Sequence, residues 1–266
     1  MLSLWPFAAG AQLCQQWNQG IRTGELQVQL QEASGMAASR QFPGRLYHIN
    51  DSGDAGQFYI TRLDGSDPQA VRIAGFDPED TEALSLGPCP QQSPNSCIYI
   101  GDIGDNDSRR NSIEIVVVDE VGNFSKTAKP RSRLKIRYPD RPHDAESMAV
   151  LPDGTIFILT KESPARLFKA KPNVAEQTLT FVTTLDPGGR PTDMSISDDG
   201  MRMLVLTYKD AVEYTIDFMH SQKITLNFLQ QQESVAYLPG SRSFLYTTEQ
   251  LLPGLPQYVM RVDCEK

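Results

Sequence analysis

Five registered copies of one strand-rich phrase, each holding an apolar alternating stretch, a turn and a second β-rich stretch, predict an all-β fold: a single five-bladed β-propeller. The aligned segments are SGMAAS…RLYHIND, EALSLG…CIYIGDI, ESMAVLPDGTIFILTKE, TDMSISDDGMRMLVLTYK and ESVAYLPGSRSFLYTTE, with Ser34, Glu82, Glu146, Thr192 and Glu233 in register. The copies recur at roughly 40 to 65 residues, so insertions separate a common unit of propeller-blade length. A third observation is negative: no segment keeps a helical period. A ring with a sixth blade from unrecognised segments is the alternative.

Taken in order, the first repeat offers LYHIN, QFYITRL and VRIAG, turned at Asp64-Gly65. EALSL, CIYIGDI and IEIVVVDE follow, the last apolar almost throughout, as a strand buried on both faces requires. The polar stretch Val121 to Ser132 reads as an outer loop. The third repeat has RLKIRYP, ESMAVL, TIFILT and ARLFKA, with Asp153-Gly154 as a hairpin turn. LTFVTTL, DMSIS, RMLVLTY and AVEYTID form the fourth, and KITLNFL, ESVAYL, SFLYTTE and QYVMRVD the fifth. No strand remains after Val262 for the last blade, so LQVQL at 26–30 is expected to close the ring.

The chain of 266 residues suits one large domain, expected over 14–266 behind a leader at 1–13. That leader, MLSLWPFAAGAQL, is short and apolar with a small-residue Ala9-Gly10-Ala11 end. It reads as the remnant of a secretory signal, or as an apolar leader packed on the domain. Four cysteines fit export to a periplasmic or secreted location. Cys89 and Cys97 flank a polar loop, and Cys14 and Cys264 lie near the chain ends that a closing ring brings together. Two disulfides are expected, Cys14–Cys264 and Cys89–Cys97, with buried free thiols as the other reading. There is no zinc spacing among them.

Acidic residues outnumber basic ones, 33 to 25, for a formal charge of −8. That field repels phosphate backbones and anionic lipid, so nucleic acid is excluded as a partner. No apolar run reaches the roughly 18 residues of a membrane span.

Ligands of propellers sit where the innermost strands begin. Those starts carry Glu82, Glu146 and Glu233, with Asp193 one place beyond the register. The following strands end at Asn50, Asp102, Thr160, Thr207 and Thr248, with Asp51, Lys161, Tyr208 and Glu249 next along. Carboxylates converging on a narrow channel need protons, bases or a cation. Asp, Glu and Asn oxygens without clustered His or Cys suit Ca²⁺ or Mg²⁺ better than zinc. The expected metal set is Glu82, Asp102, Glu146 and Glu233, with Asn50, Asp51, Lys161, Tyr208 and Glu249 as ligand-binding neighbours. The competing reading is structural, with the acids capping backbone amides and neutralised by Lys161 and Arg190.

His143, in RPHDAES, is the one candidate general base, against the plainer reading of a loop histidine satisfied by hydrogen bonds. His48 falls in a strand and His220 in a polar loop. No GxSxG elbow, phosphate loop or dinucleotide fingerprint occurs.

HINDSGD, PEDTEALSLG, YIGDIGDN, RPHDAESMAV, LTYKDAVEY and QQESVAYLP together resemble a group of secreted bacterial β-propeller proteins marked by HNDSGD, D-W-E-D and YIGDIGDN signatures. The likeness runs from residue 32 to about 250. Glu79-Asp80 match its Glu-Asp pair, with Pro78 where an aromatic residue is usual. The resemblance implies an extracytoplasmic location and importance for Asn50, Asp51, Asp54, Glu82, Asp102, Asp105 and Glu146; it implies no activity. Two functions follow as expectations. One is a binding or scaffold module with an ion, a small polar ligand or another protein at the propeller face. The other is a metal-assisted hydrolase of a phosphoester or lactone.

Overall fold

The computed structural model describes residues 12–51, 55–91, 95–227, 231–248 and 254–266. The expected leader therefore lies almost wholly outside the described residues, as do Asp54 and Glu249. Five separate sheets form five blades, each starting from an innermost strand. Blade 1 contains Ala33–Ala38, Arg45–Asn50, Gln57–Arg62 and Gln69–Ile73. Blade 2 contains Thr81–Pro88, Ser96–Asp102, Ile113–Asp119 and Ser132–Arg137. Blade 3 has Ala145–Val150, Ile156–Thr160, Ala165–Ala170 and Thr180–Leu185. Blade 4 has Pro191–Ile196, Arg202–Thr207, Asp210–Thr215 and Ser221–Thr225. Blade 5 has Gln232–Tyr237, Ser243–Thr248 and Tyr258–Asp263, and takes its outermost strand, Ile21–Glu25, from the other end of the chain. The third, fourth and fifth sequence repeats are offset from the blade by one strand: each opens with the outer strand of the blade before it.

The closing strand lies earlier than the sequence suggested. Residues 26–30 do not pair in the sheet; Val28–Leu30 form a 3₁₀ turn. Leu26 and Leu30 are buried between blades 5 and 1, whereas Val28 between them is 69% exposed. LQVQL thus buries residues four apart, the spacing of a helical turn, although its alternation mimics a strand. Two short parallel strands, Thr127–Ala128 on blade 1 and Glu176–Thr178 on blade 2, cover outer edges that would otherwise offer unpaired backbone.

The core is five apolar layers, one in each gap between neighbouring blades. Ile113, Ile115 and Val117 face blade 3, and Val116 and Val118 face blade 1. This is why IEIVVVD is apolar on both phases of its alternation. Near the axis the innermost strands nearly touch. A Cβ on Gly35 would lie 2.5 Å from the backbone nitrogen of Leu84 in blade 2, so only glycine fits there.

The far end of the channel is bridged. Arg40 of blade 1 pairs with Asp198 of blade 4 and donates to Ile196 O at 3.1 Å, while Asp198 accepts from Gly240 N of blade 5 at 2.6 Å. Both expected disulfides are formed, Cys14–Cys264 across 250 residues and Cys89–Cys97 across 8. No helix among the described residues is long and apolar enough to cross a membrane.

Candidate metal centre at the channel mouth

All five innermost strands slip register at the same point. The breaks fall between Ala33 and Gly35, Thr81 and Ala83, Ala145 and Ser147, Pro191 and Asp193, and Gln232 and Ser234. The skipped residues are Ser34, Glu82, Glu146, Thr192 and Glu233, the five that align in the sequence. A bulge leaves one residue outside the ladder and re-aims its side chain. Ser34, Glu82, Glu146 and Glu233 accordingly line a cavity of about 100 Å³, together with Glu32, Asp51, Lys161, Tyr208 and Gln231.

Asp51 and Glu82 line this cavity and Asp80 does not, yet the carboxylates of Asp51, Asp80 and Glu82 each offer an oxygen within 4.8 Å of the other two. Oxygens bound to one Ca²⁺ at 2.3–2.6 Å lie at most roughly 5 Å apart, so the triad is compact enough to share an ion. Asp80 is buried, and its Oδ1 has no hydrogen-bond partner among the described residues. Burial raises Asp80 to about 7, with the neighbouring Asp51 carboxylate adding to the effect. Burial likewise lifts Glu82 well above the usual carboxylate range, helped by Glu146, Asp51 and Asp80. Ser34 Oγ lies 2.9 Å from Glu82 Oε2 and 3.0 Å from Glu82 O, one hydroxyl proton between two acceptors.

The opposite wall is basic. Lys161 pairs with Glu146, and the Lys161 ammonium hydrogen-bonds the Tyr208 hydroxyl. Burial raises Glu146 to about 7 even though the lysine opposes it, and burial raises Tyr208 to about 12.

Asp102 does not join this cavity, which corrects the expected metal set. Its two oxygens accept from Arg110 at 2.9 and 2.7 Å, and Oδ1 also accepts the Asp80 amide at 2.8 Å. Asp102 is therefore answered by Arg110 and positions Asp80. The rest of YIGDIGDN continues this cradle. Gly104 N donates to Asp80 O at 3.1 Å, and a Cβ on Gly104 would lie 2.4 Å from Asp80 Oδ2. Asp105 accepts the amides of Arg109 and Arg110 at 2.8 Å each. Asp80 was visible in the sequence only through its Glu-Asp pair, because it sits two places ahead of the aligned position.

Asn50 also lies outside the cavity lining; its Nδ2 donates to Gln29 O at 2.9 Å and its carbonyl accepts from Thr81 Oγ1 at 2.9 Å. Asp193 fills the axis one step deeper. It accepts from Met194 N and Val235 N at 2.8 Å each and also from Met36 N, joining blades 4, 5 and 1. The equivalent residues Gly35, Ala83, Ser147 and Ser234 are small, leaving room for this one side chain. Capping, the competing structural reading, describes Asp193.

His143 is fully buried, with Nδ1 2.9 Å from Glu162 Oε1 and Nε2 3.1 Å from Asp140 Oδ1. It packs edge-on to Tyr138 and does not line the cavity. Both ring nitrogens are engaged, so the histidine holds its loop and offers no free base to the channel.

No family model matches the chain, and no curated protein matches it. Among solved structures the chain is similar to hydrazine synthase of Kuenenia stuttgartiensis, at 15% identity and a TM-score of 0.43. The match covers 85% of this chain and 58% of that one. The five-bladed assignment rests on the five sheets themselves.

Proposed function

We propose that the protein is an extracytoplasmic binding module that holds a hard divalent cation, Ca²⁺, at one mouth of its propeller channel. The observation that carries this reading is the Asp51, Asp80 and Glu82 triad, compact enough for one ion, with a buried Asp80 oxygen that has no hydrogen-bond partner among the described residues. An all-oxygen carboxylate set favours Ca²⁺ over softer metals. The two disulfides support an oxidising location outside the cytoplasm. Like charges this close resist joint ionisation, and two positive charges relieve that cost.

Calorimetric titration of metal-stripped protein tests the reading. Ca²⁺ is expected to bind one site and to raise the melting temperature, by about 2.7 kcal/mol of stability at a hundredfold excess over Kd. Asp80→Asn is expected to weaken binding at least tenfold, about 1.4 kcal/mol. Absence of both heat and thermal shift in the wild type would reject the ion.

A further inference from the structure

The cavity at the triad, about 100 Å³, has room for an ion and a few waters but not for an organic molecule. Beside it lies an open groove of about 550 Å³, within the range of small-molecule sites. Lys161 walls both spaces. The groove also carries Arg190, which precedes Pro191 at the mouth end of blade 4's innermost strand. Arg190 is exposed and makes no ion pair or hydrogen bond among the described residues.

The two acids on the groove wall already accept hydrogen bonds. Asp144 Oδ1 accepts the Asp105 amide at 2.8 Å, and Glu162 Oε1 accepts from Arg141 at 2.7 Å and faces His143. Arg190 is the groove cation that makes no ion pair or hydrogen bond among the described residues. Its guanidinium presents parallel donors matched to a carboxylate or phosphate. Lys161 has three donors, of which Glu146 and Tyr208 take two, so one remains for a ligand.

We propose that this groove binds a small organic oxyanion, a carboxylate or a phosphate ester, gripped by Arg190 with Lys161 at the ion-proximal end. The proposal rests on the ion-binding reading above. In the ion-free protein the carboxylates of the mouth repel an anion; a divalent ion on the triad offsets two of its three negative charges and weakens that repulsion. Anion and Ca²⁺ therefore bind cooperatively, and each tightens the other by the same factor.

Phenyl phosphate and benzoate, each titrated calorimetrically to about 10 mM into Ca²⁺-loaded and metal-stripped full chain, provide the test. At least one is expected to bind the loaded protein, and about tenfold more weakly the stripped protein. Arg190→Gln should weaken anion binding about tenfold, with Arg190→Lys recovering part, and a melting curve for each variant reports folding. Binding of phenyl phosphate alone assigns a phosphate ester, of benzoate alone a carboxylate, and of both the shared chemistry. If neither binds the loaded protein, or Arg190→Gln binds as the wild type does, the groove proposal is overturned and the ion stands. Failure of Ca²⁺ itself to bind removes the ion reading. Arg190-dependent anion binding to the stripped protein would then uphold the groove, and its absence would overturn that too.

Discussion

His48 holds one ring nitrogen against a hydroxyl and buries the other without a partner. The Thr61 hydroxyl donates to Arg62 O at 2.8 Å, so it can only accept from His48 Nε2–H, 2.9 Å away. That fixes the neutral tautomer and leaves Nδ1 buried and unpartnered. Protonation would create an unanswered buried N–H, and burial accordingly lowers His48 to about 3. The folded value lies below the unfolded one, so between about 6.5 and 3 the unfolded chain binds a proton that the folded chain does not. Stability is lost as pH falls through this window, about 1.4 kcal/mol per unit, reaching about 3 kcal/mol by pH 4. Asp80 and Glu146, held up at about 7, take up protons first in the folded state and contribute the opposite slope. Comparing wild type with His48→Gln cancels their contribution. Urea titrations from pH 7 to 4 should show a shallower acid loss in the variant, and parallel curves would contradict the assignment.

The bulged strand is the element that makes the site. Apolar runs revealed the strands because each blade buries both faces, and the second strands end at Asn50, Asp102, Thr160, Thr207 and Thr248, where the apolar pattern stops. The bulge itself has no sequence mark, since Ser, Glu, Glu, Thr and Glu occupy it in turn. Asp102 looked like a ligand because it occupies an equivalent strand end. Only the path of the following loop, which returns Arg110 to it, gives it a different role. The same loop supplies a test of how Asp80 is held. In Gly104→Ala the new methyl would meet the Asp80 carboxylate and displace it. Such overpacking costs about 1–3 kcal/mol, and Ca²⁺ affinity should fall by more than tenfold. A variant that melts lower yet binds Ca²⁺ as tightly as wild type would detach this loop from the site.

At the scale of the whole ring, stability depends on how the two chain ends meet. The closing strand Ile21–Glu25 pairs with Tyr258–Asp263, and the segment before it is tied to the C-terminus by Gln15 N to Lys266 O and Glu265 N to Gln16 O, 2.8 Å each. Buried Glu213 of blade 4 gathers Cys14 N, Trp17 Nε1, Tyr237 Oη and Arg202 onto one carboxylate, anchoring the same segment. The missing last strand foretold this closure; its register did not follow from LQVQL, because that alternation buries Leu26 and Leu30 without pairing in the sheet. The two disulfides should contribute very differently. Cys14–Cys264 encloses 250 residues and Cys89–Cys97 only 8. Loop-closure entropy assigns about 5 kcal/mol to the first and about 2.5 to the second. Cys14→Ser with Cys264→Ser should lower the melting temperature by roughly 10 °C, against roughly 5 °C for Cys89→Ser with Cys97→Ser. Amide exchange should rise first along Ile21–Glu25 in the terminal pair, since that strand is held at one edge only. Equal losses in the two variants, or a larger loss from the short loop, would mean that the hydrogen-bonded seam and not the covalent clamp keeps the ring closed.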